Sequence, residues 1–230
     1  MKWKKWFILL WVVIAAVSIG YSISVRSSIP TVELSDENMD DFPVFAETVS
    51  ELEVKSRDYL SKQGITMTDI YNASDLVVKV RATAERKAEY ESLLTKVNVL
   101  EVYKGDHALS NQDIYVYEYA SIIMVDNTFT ISLTEASNLM QADHDYYLLL
   151  NFLKRPSGYR YDAVSSRTYL LNNVCYGKFS DRKYSSDHST LEYEQGMPYK
   201  KIKYLDVLYI DQSQVDDYYD MRNDFFDLIC

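Results

Sequence analysis

Four residue types with distinctive chemical or conformational roles are scarce in this chain of 230 residues. It holds two cysteines, three histidines, six glycines and four prolines. The scattered glycines provide no phosphate-binding loop, and no Gly-x-Ser-x-Gly motif supplies a nucleophilic serine. The first cysteine is Cys175, which excludes an N-terminal lipoprotein signal. The sequence therefore predicts neither an enzyme nor a bound cofactor.

Metal binding has weak support. Asp143, His144 and Asp145 are adjacent in sequence and could supply ligands to a divalent cation. Their spacing matches no zinc-binding motif, and three polar residues before a strand are typical of a solvated loop. We predict no metal site, and keep these three residues as the weak candidates for one. A small envelope hydrolase or cation-binding protein is the alternative function.

The two cysteines, Cys175 and Cys230, are the candidate pair for a disulfide bond. An even cysteine count in an exported chain favours a bridge. The alternative is one cysteine buried in a strand and one unpaired at the chain end, where residues are often poorly ordered.

The charge distribution limits the partners. Three of the 24 basic residues and none of the 34 acidic residues lie in residues 1–25, so the remainder carries a formal net charge of −13. Such a charge disfavours binding to the phosphate backbone of nucleic acid or to anionic lipid headgroups. We therefore predict no nucleic-acid partner.

The N-terminus predicts the location. Residues 6–23 form an uncharged run of 18 residues, which as a helix would span about 27 Å. Lys2, Lys4 and Lys5 precede it, so the positive-inside rule places the N-terminus in the cytoplasm. We predict a single-pass anchor in residues 1–25, with the C-terminal domain outside the cytoplasm. A cleaved signal peptide, which would leave the protein secreted, is the alternative.

The rest of the chain divides into four segments. An acidic tether is predicted over residues 26–43, followed by a helix over residues 44–64. A β domain then covers residues 66–210, and an amphipathic helix with Ser213 as its N-cap covers residues 211–230. Alternating or continuous apolar residues predict strands over residues 75–83, 90–103, 113–119, 146–153, 159–164 and 168–174. Residues 204–210 are a strand or a buried segment. A shift in apolar parity between Val97/Val99 and Leu100/Val102 predicts a β-bulge or a strand bent around a barrel.

Several of these stretches together resemble a known group of proteins. The quoted stretches are ASDLVVKVRAT, LLTKVNVLEVYKGD, DIYVYEY and HDYYLLLNFL. They are similar to exported bacterial proteins with a netrin/TIMP-like OB-fold barrel, most of which have no assigned function. The resemblance covers about residues 70–179 and implies an OB-like Greek-key barrel of five or six strands. The inhibitors of that superfamily use an N-terminal Cys-x-Cys, which this chain lacks, so no functional residue is transferred.

Tyrosine is the abundant residue type, with 21 copies against eight phenylalanines. The candidate binding residues are Tyr115, Tyr117, Tyr119, Tyr159 and Tyr161. Exposed tyrosines give large contact area at low entropic cost, which suits protein or glycan ligands. The alternative is that these rings are covered by the terminal helices. We predict an extracytoplasmic binding or interaction module whose partner is another envelope protein or a surface glycan.

Overall fold

A computed structural model of the chain describes residues 11–15, 17–22, 34, 36–47, 64–89, 92–134, 137–181, 194–208 and 212–229. The chain divides into two compact units, Met1–Glu33 and Leu34–Cys230. In the first unit, residues 11–15 and 17–22 are helical. Within the described residues, no helix is long and apolar enough to cross a membrane. The predicted anchor over residues 6–23 extends outside the described residues at both ends.

The second unit is mainly β, as the sequence predicts, with helices added to the strands. The described strands are β1 (Pro43–Glu47), β2 (Leu76–Glu89), β3 (Ser92–Lys104), β4 (Asp113–Glu118), β5 (Ala120–Val125), β6 (Thr128–Thr134), β7 (Asp145–Phe152), β8 (Thr168–Leu171), β9 (Lys178–Ser180) and β10 (Met197–Pro198). The described helices are α1 (Asp36–Met39), α2 (Met67–Ala73), α3 (Tyr199–Ile202) and α4 (Gln212–Ile229). The strands form one sheet of six and one of four.

The pairings of the larger sheet return to the strand from which they start. Strand β2 pairs with β3, and β3 with β4, both antiparallel. Strand β4 runs parallel to β8, which pairs antiparallel with β7. Strand β7 then pairs antiparallel with β2. Strand β9 pairs antiparallel with the first half of β7, and β8 pairs with its second half. One face of β2, β3, β4, β7 and β8 contributes to a common interior, and both sheets are mixed, with parallel and antiparallel pairs.

That interior holds the main hydrophobic core. The strands alternate, so that Val78, Val80, Ile114, Val116 and Leu148 are fully buried in it. These side chains come from three different strands and are mostly β-branched, which suits packing against a pleated surface. Strand β7 is buried on both faces, as its continuous apolar run predicts.

The predicted bulge lies at Leu100. Val80 pairs with Val99 and Lys79 pairs with Glu101, so two residues of β3 oppose one residue of β2 at this point. The extra residue is Leu100. It explains the parity shift in the sequence, because residues on either side of a bulge must change parity to keep facing the core.

Helix α4 confirms the predicted C-terminal helix and packs on the outer face of β2 and β7. The Phe225 ring is fully buried, with its centroid 5.8 Å from that of Tyr147 and 5.4 Å from that of Phe179. The Tyr218 hydroxyl donates to the carbonyl of Lys178 at 3.1 Å. The helix begins at Gln212, so the prediction of Ser213 as its N-cap is wrong.

The predicted helix over residues 44–64 is wrong at its start. Residues Pro43–Glu47 form β1, which runs parallel to β6. Val44 and Ala46 are buried while Phe45 is exposed, which is the two-residue period of a strand. Residues 48–63 lie outside the described residues.

The predicted tether also ends too late. Leu34 is buried, α1 follows, and Met39 is fully buried. Lys203 donates to the Asp40 carboxylate at 2.7 Å, and Lys200 donates to Asp41 at 2.6 Å. Part of the acidic run is therefore fixed to α3 by ion pairs, and only residues 26–33, which lie outside the described residues, remain as the predicted tether.

Three further elements differ from the prediction. Helix α2 was not predicted, although Thr66 and Asp69 form a capping box at its start. The β5–β6 hairpin was also missed, and its turn residues Asp126 and Asn127 both have positive φ, which favours a type I′ turn. Leu205, Val207 and Leu208 are buried whereas Tyr204 is exposed, and Val207 makes a single bridge to Ser137, so the strand alternative is wrong over residues 204–208.

Candidate functional site

The outer face of β4 carries two of the predicted tyrosines. Tyr115 and Tyr117 are half-buried there, because Ile114 and Val116 occupy the inward positions. Helix α4 packs on β2 and β7, so it does not cover this face. Tyr119 does not belong with them. It lies beyond the end of β4, packs against the core and donates its hydroxyl to the carbonyl of Leu171 at 3.3 Å.

The β7–β8 loop, residues 153–167, carries the other two candidate tyrosines. The rings of Tyr159 and Tyr161 meet edge to face, with centroids 5.3 Å apart, and both residues are more than 40% exposed. The Tyr161 ring lies against Phe152, with centroids 5.8 Å apart, and its hydroxyl accepts a hydrogen bond from the Arg155 backbone N–H at 2.9 Å. The predicted strand over residues 159–164 is wrong.

The conformation of this loop has a local cause. The Asp162 carboxylate accepts hydrogen bonds from the Val164 and Ser165 backbone N–H groups, at 3.1 and 2.7 Å, and from the Ser165 hydroxyl at 2.7 Å. Such bonds close a turn in competition with a strand ladder. They keep the chain folded back after Tyr161, and they hold the pKa of Asp162 below its usual value.

Arg155 joins the two groups of tyrosines. Its guanidinium lies 5.5 Å from the centroid of the Tyr159 ring, and it also interacts electrostatically with Tyr117 and Glu89. The Tyr117 hydroxyl donates to Glu89 Oε2 at 2.6 Å. Burial and the neighbouring Glu89 carboxylate together raise the pKa of Tyr117. The phenol therefore remains a neutral donor, and Glu89 has its acceptor capacity partly occupied.

We call the set of Tyr115, Tyr117, Arg155, Tyr159 and Tyr161 the tyrosine–arginine face. The structure brings together four of the five predicted binding residues and adds one residue that the sequence analysis did not select. Arg155 had a signal in the sequence, since Lys154, Arg155 and Arg160 stand close to two tyrosines in an otherwise acidic chain. Rings with an adjacent guanidinium can bind a ligand through stacking, cation–π contact and charge-assisted hydrogen bonds.

The weak metal candidates do not gather into a site. The Asp145 carboxylate accepts from Arg81 Nε at 2.7 Å and lies 3.7 Å from Lys79 Nζ. The His144 Nδ1 atom lies 2.9 Å from the carbonyl of Ala142, and Asp143 is an exposed turn residue with positive φ. In the part of the chain that the structure describes, no group of three or more His, Cys, Asp or Glu residues could hold a metal ion.

A cluster of buried charges was not predicted. Glu118, the last residue of β4, is 1% exposed and accepts from Thr95 Oγ1 at 2.6 Å and from the Met140 N–H at 2.7 Å. Its carboxylate also lies 3.3 Å from Lys178 Nζ and 3.7 Å from Arg86 Nε. Burial lowers the pKa of Lys178, against the opposing effect of Glu118. The charged side chains of Glu118, Arg86 and Lys178 are 1%, 1% and 6% exposed, so the cluster lies in the interior of the domain.

Only one of the two cysteines predicted to form a disulfide bond lies among the described residues. Cys175 is buried among the residues that pack beneath α4, and its backbone N–H donates to Asn173 Oδ1 at 2.9 Å. Cys230 lies outside the described residues, so the bridge stays a prediction.

The chain matches no protein-family model and no curated protein.

Proposed function

We propose that this protein is a non-enzymatic binding module of the cell envelope and that its ligand binds at the tyrosine–arginine face. The observation that carries the proposal is the exposed pair of rings, Tyr159 and Tyr161, beside Arg155. Large exposed aromatics next to an arginine are the residue types that dominate binding energy at interfaces. The ligand is an envelope protein or a surface glycan.

The strand pairings support the proposal of an OB-like Greek-key barrel. In that architecture, the second and third strands and two flanking loops bind ligands. The corresponding elements here are β3 and β4, the β2–β3 connection and the β7–β8 loop. Tyr115 and Tyr117 are on β4, Glu89 ends β2, and Arg155 is in the β7–β8 loop. The proposed relationship to netrin/TIMP-like proteins rests on this strand order and on the sequence resemblance.

The proposed location follows from the N-terminal sequence. A single-pass anchor over residues 6–23, with three lysines before it, would hold the domain outside the cytoplasm. Cleavage after this segment would leave the same domain secreted. In either form the ligand is an extracytoplasmic molecule.

A hydrolase or cation-binding role has no comparable support. The Asp145 carboxylate is already paired with Arg81, and the acidic group with the most unusual surroundings, Glu118, is closed to solvent. A catalytic carboxylate has to reach its substrate.

The experiment is affinity capture of envelope components by the tagged full-length chain in detergent. The test variant is Tyr159→Ser combined with Tyr161→Ser. The control is Tyr204→Ser, because Tyr204 is 42% exposed and thus matches the 44% and 43% of the two loop tyrosines. Thermal melting establishes that both variants are folded.

We expect at least one component to bind the native chain and the control, and to be lost from the double variant. The proposal is wrong if the double variant retains every component that the native chain captures.

A further inference from the structure

The β7–β8 loop has the opposite charge to the rest of the protein. Residues 153–167 contain four basic residues, Lys154, Arg155, Arg160 and Arg167, and one acidic residue, Asp162. The whole chain carries a formal net charge of −10. A local basic region on an acidic protein raises the local concentration of anions and steers them to that region.

Nearby acids partly neutralise two of these cations, because Glu89 interacts electrostatically with Arg155, and Asp113 with Arg167. The carboxylate of Asp162 accepts hydrogen bonds from Ser165 and Val164 within the loop. Glu89 accepts from Tyr117 and from Lys87. Arg155 Nε is buried and has no hydrogen-bond acceptor among the described residues. Arg155 as a whole is only half-buried and lies beside the exposed Tyr159 ring, so its positive charge acts on a ligand at that surface.

Two of the tyrosines of the tyrosine–arginine face, Tyr117 and Tyr161, have their hydroxyl groups hydrogen-bonded within the protein. The Tyr117 hydroxyl donates to Glu89, and the Tyr161 hydroxyl accepts from the Arg155 N–H. The polar atoms of both side chains are thus engaged within the protein. The exposed parts of the Tyr159 and Tyr161 rings form an apolar platform beside a guanidinium.

The strands beneath the platform cannot accept a further strand. Strand β4 pairs with β3 on one side and with β8 on the other, and β3 lies between β2 and β4. A peptide that binds by strand addition needs a free edge with unpaired backbone groups. Recognition at this face has to use side chains, which suits a ligand with apolar ring faces and discrete anionic groups.

We propose that the ligand of the tyrosine–arginine face is an acidic glycan, whose sugar rings lie on Tyr159 and Tyr161 and whose carboxylate or phosphate groups bind Arg155 and Arg160. This inference rests on the proposed function and narrows its ligand to one class. Carboxylate and phosphate groups present similar anionic oxygens to an arginine. The carboxylated and phosphorylated glycan probes described below distinguish between them.

The test measures binding of fluorescent probes to the full-length chain in detergent. The glycan probes are oligogalacturonate, which carries carboxylates, a phosphorylated dextran, and neutral dextran. Polyglutamate and oligothymidylate carry similar charge on a peptide and on a nucleic acid. The variants are Arg155→Gln, Arg160→Gln, Arg155→Lys and Tyr159→Ser, and Lys201→Gln removes one exposed cation of α3 as the matched control.

We expect at least one acidic glycan to bind and neutral dextran not to bind. Arg155→Gln and Arg160→Gln should each weaken binding by about tenfold or more, the effect expected for a charge-assisted hydrogen bond. Arg155→Lys should retain more binding than Arg155→Gln, Tyr159→Ser should weaken binding, and Lys201→Gln should leave it unchanged.

Four results would overturn the inference: equal binding of polyglutamate, tighter binding of oligothymidylate, binding of neutral dextran that Arg155→Gln does not change, or binding of no probe. These results leave the proposed function standing if envelope capture still depends on Tyr159 and Tyr161. If envelope capture does not depend on Tyr159 and Tyr161, both the proposed function and the acidic-glycan inference are wrong.

Discussion

At the scale of single residues, the charges around Glu118 are buried and depend on one another. Two cations and one carboxylate are removed from water, and each charge has hydrogen bonds to the protein. Removing one partner of such a group leaves the others buried and unpaired, whereas replacing all of them with apolar groups can be neutral. These contacts connect the end of β4 with Lys178 of β9 and with Met140 in the segment after β6.

Glu118→Ala should destabilise the protein by about 3–5 kcal/mol, because Lys178 and Arg86 would remain buried without their carboxylate. Chemical denaturation measures the change in the free energy of unfolding. The control is Glu85→Ala, since Glu85 is an exposed residue paired with Lys96, and such pairs contribute about 0.2–1 kcal/mol. Equal effects of the two substitutions would contradict this account of the cluster.

Lys178 should make stability depend on pH. Burial lowers its pKa in the folded state, while the unfolded chain has the ordinary value of about 10.4. Between these two values the unfolded state binds more protons, so the free energy of unfolding rises with pH. We expect the native chain to gain stability relative to Lys178→Met as the pH is raised from 7 to about 10. A constant difference between the two proteins would show that this pKa is not lowered.

Residue-level prediction from sequence succeeded where it followed strand parity. The alternation of β4 correctly places Tyr115 and Tyr117 on one face, and the same parity puts Glu118 with Ile114 and Val116 on the inner face. It failed at Tyr119 because the strand ends before that residue. The contact of Arg155 with the tyrosines depends on how a loop folds back, and no periodicity encodes that.

At the scale of elements, close approach of two backbone segments limits which residues a turn accepts. Gly105, after β3, has φ +105°, and a Cβ there would lie 2.8 Å from the carbonyl oxygen of Asp75. Gly158 in the β7–β8 loop has φ +88° but has nothing within 4 Å of such a Cβ. The two positions share the conformational strain and differ in crowding.

Gly105→Ala should therefore destabilise the protein more than Gly158→Ala. The second substitution carries only the cost of a positive φ, about 1–2 kcal/mol, and the first adds the clash with the backbone. Thermal melting of the two variants measures the difference. Equal melting temperatures would mean that the approach of β3 to Asp75 is looser than described.

The packing of α4 can be tested in the same way. Phe225→Ala should cost about 3–5 kcal/mol, because it removes a fully buried ring that contacts Tyr147 and Phe179. Leu228→Ala on the same helix is the control, since Leu228 is 40% exposed. A small effect of Phe225→Ala on denaturant unfolding would contradict the docking of α4 on the sheet.

Elements with a strong local signal could be predicted from the sequence. Each of three local patterns indicates which of its residues are buried: the apolar run of β7, the alternation of β4 and the amphipathic stripe of α4. Strand β1 could not be predicted, because its pairing partners, β6 and β10, lie more than 80 residues away. Helix α2 and the β5–β6 hairpin carry local signals in the sequence, a capping box and an Asp-Asn turn.

At the scale of the whole molecule, the β domain presents two different faces of one group of strands. The outer face of β2 and β7 is covered by α4, whereas the outer face of β4 carries tyrosines next to a basic loop. The first face stabilises the domain and the second is available to a ligand. We propose that this second face, the tyrosine–arginine face, is occupied by a ligand in the cell envelope.

The most direct test is hydroxyl-radical labelling of tyrosines in the native envelope and in the purified full-length chain, read by mass spectrometry. Tyr159, Tyr161 and Tyr204 are 44%, 43% and 42% exposed, so they should be labelled to similar extents in the purified protein. We expect Tyr159 and Tyr161 to be protected in the envelope while Tyr204 is labelled equally in both samples. Equal labelling of all three tyrosines in the envelope would contradict the account.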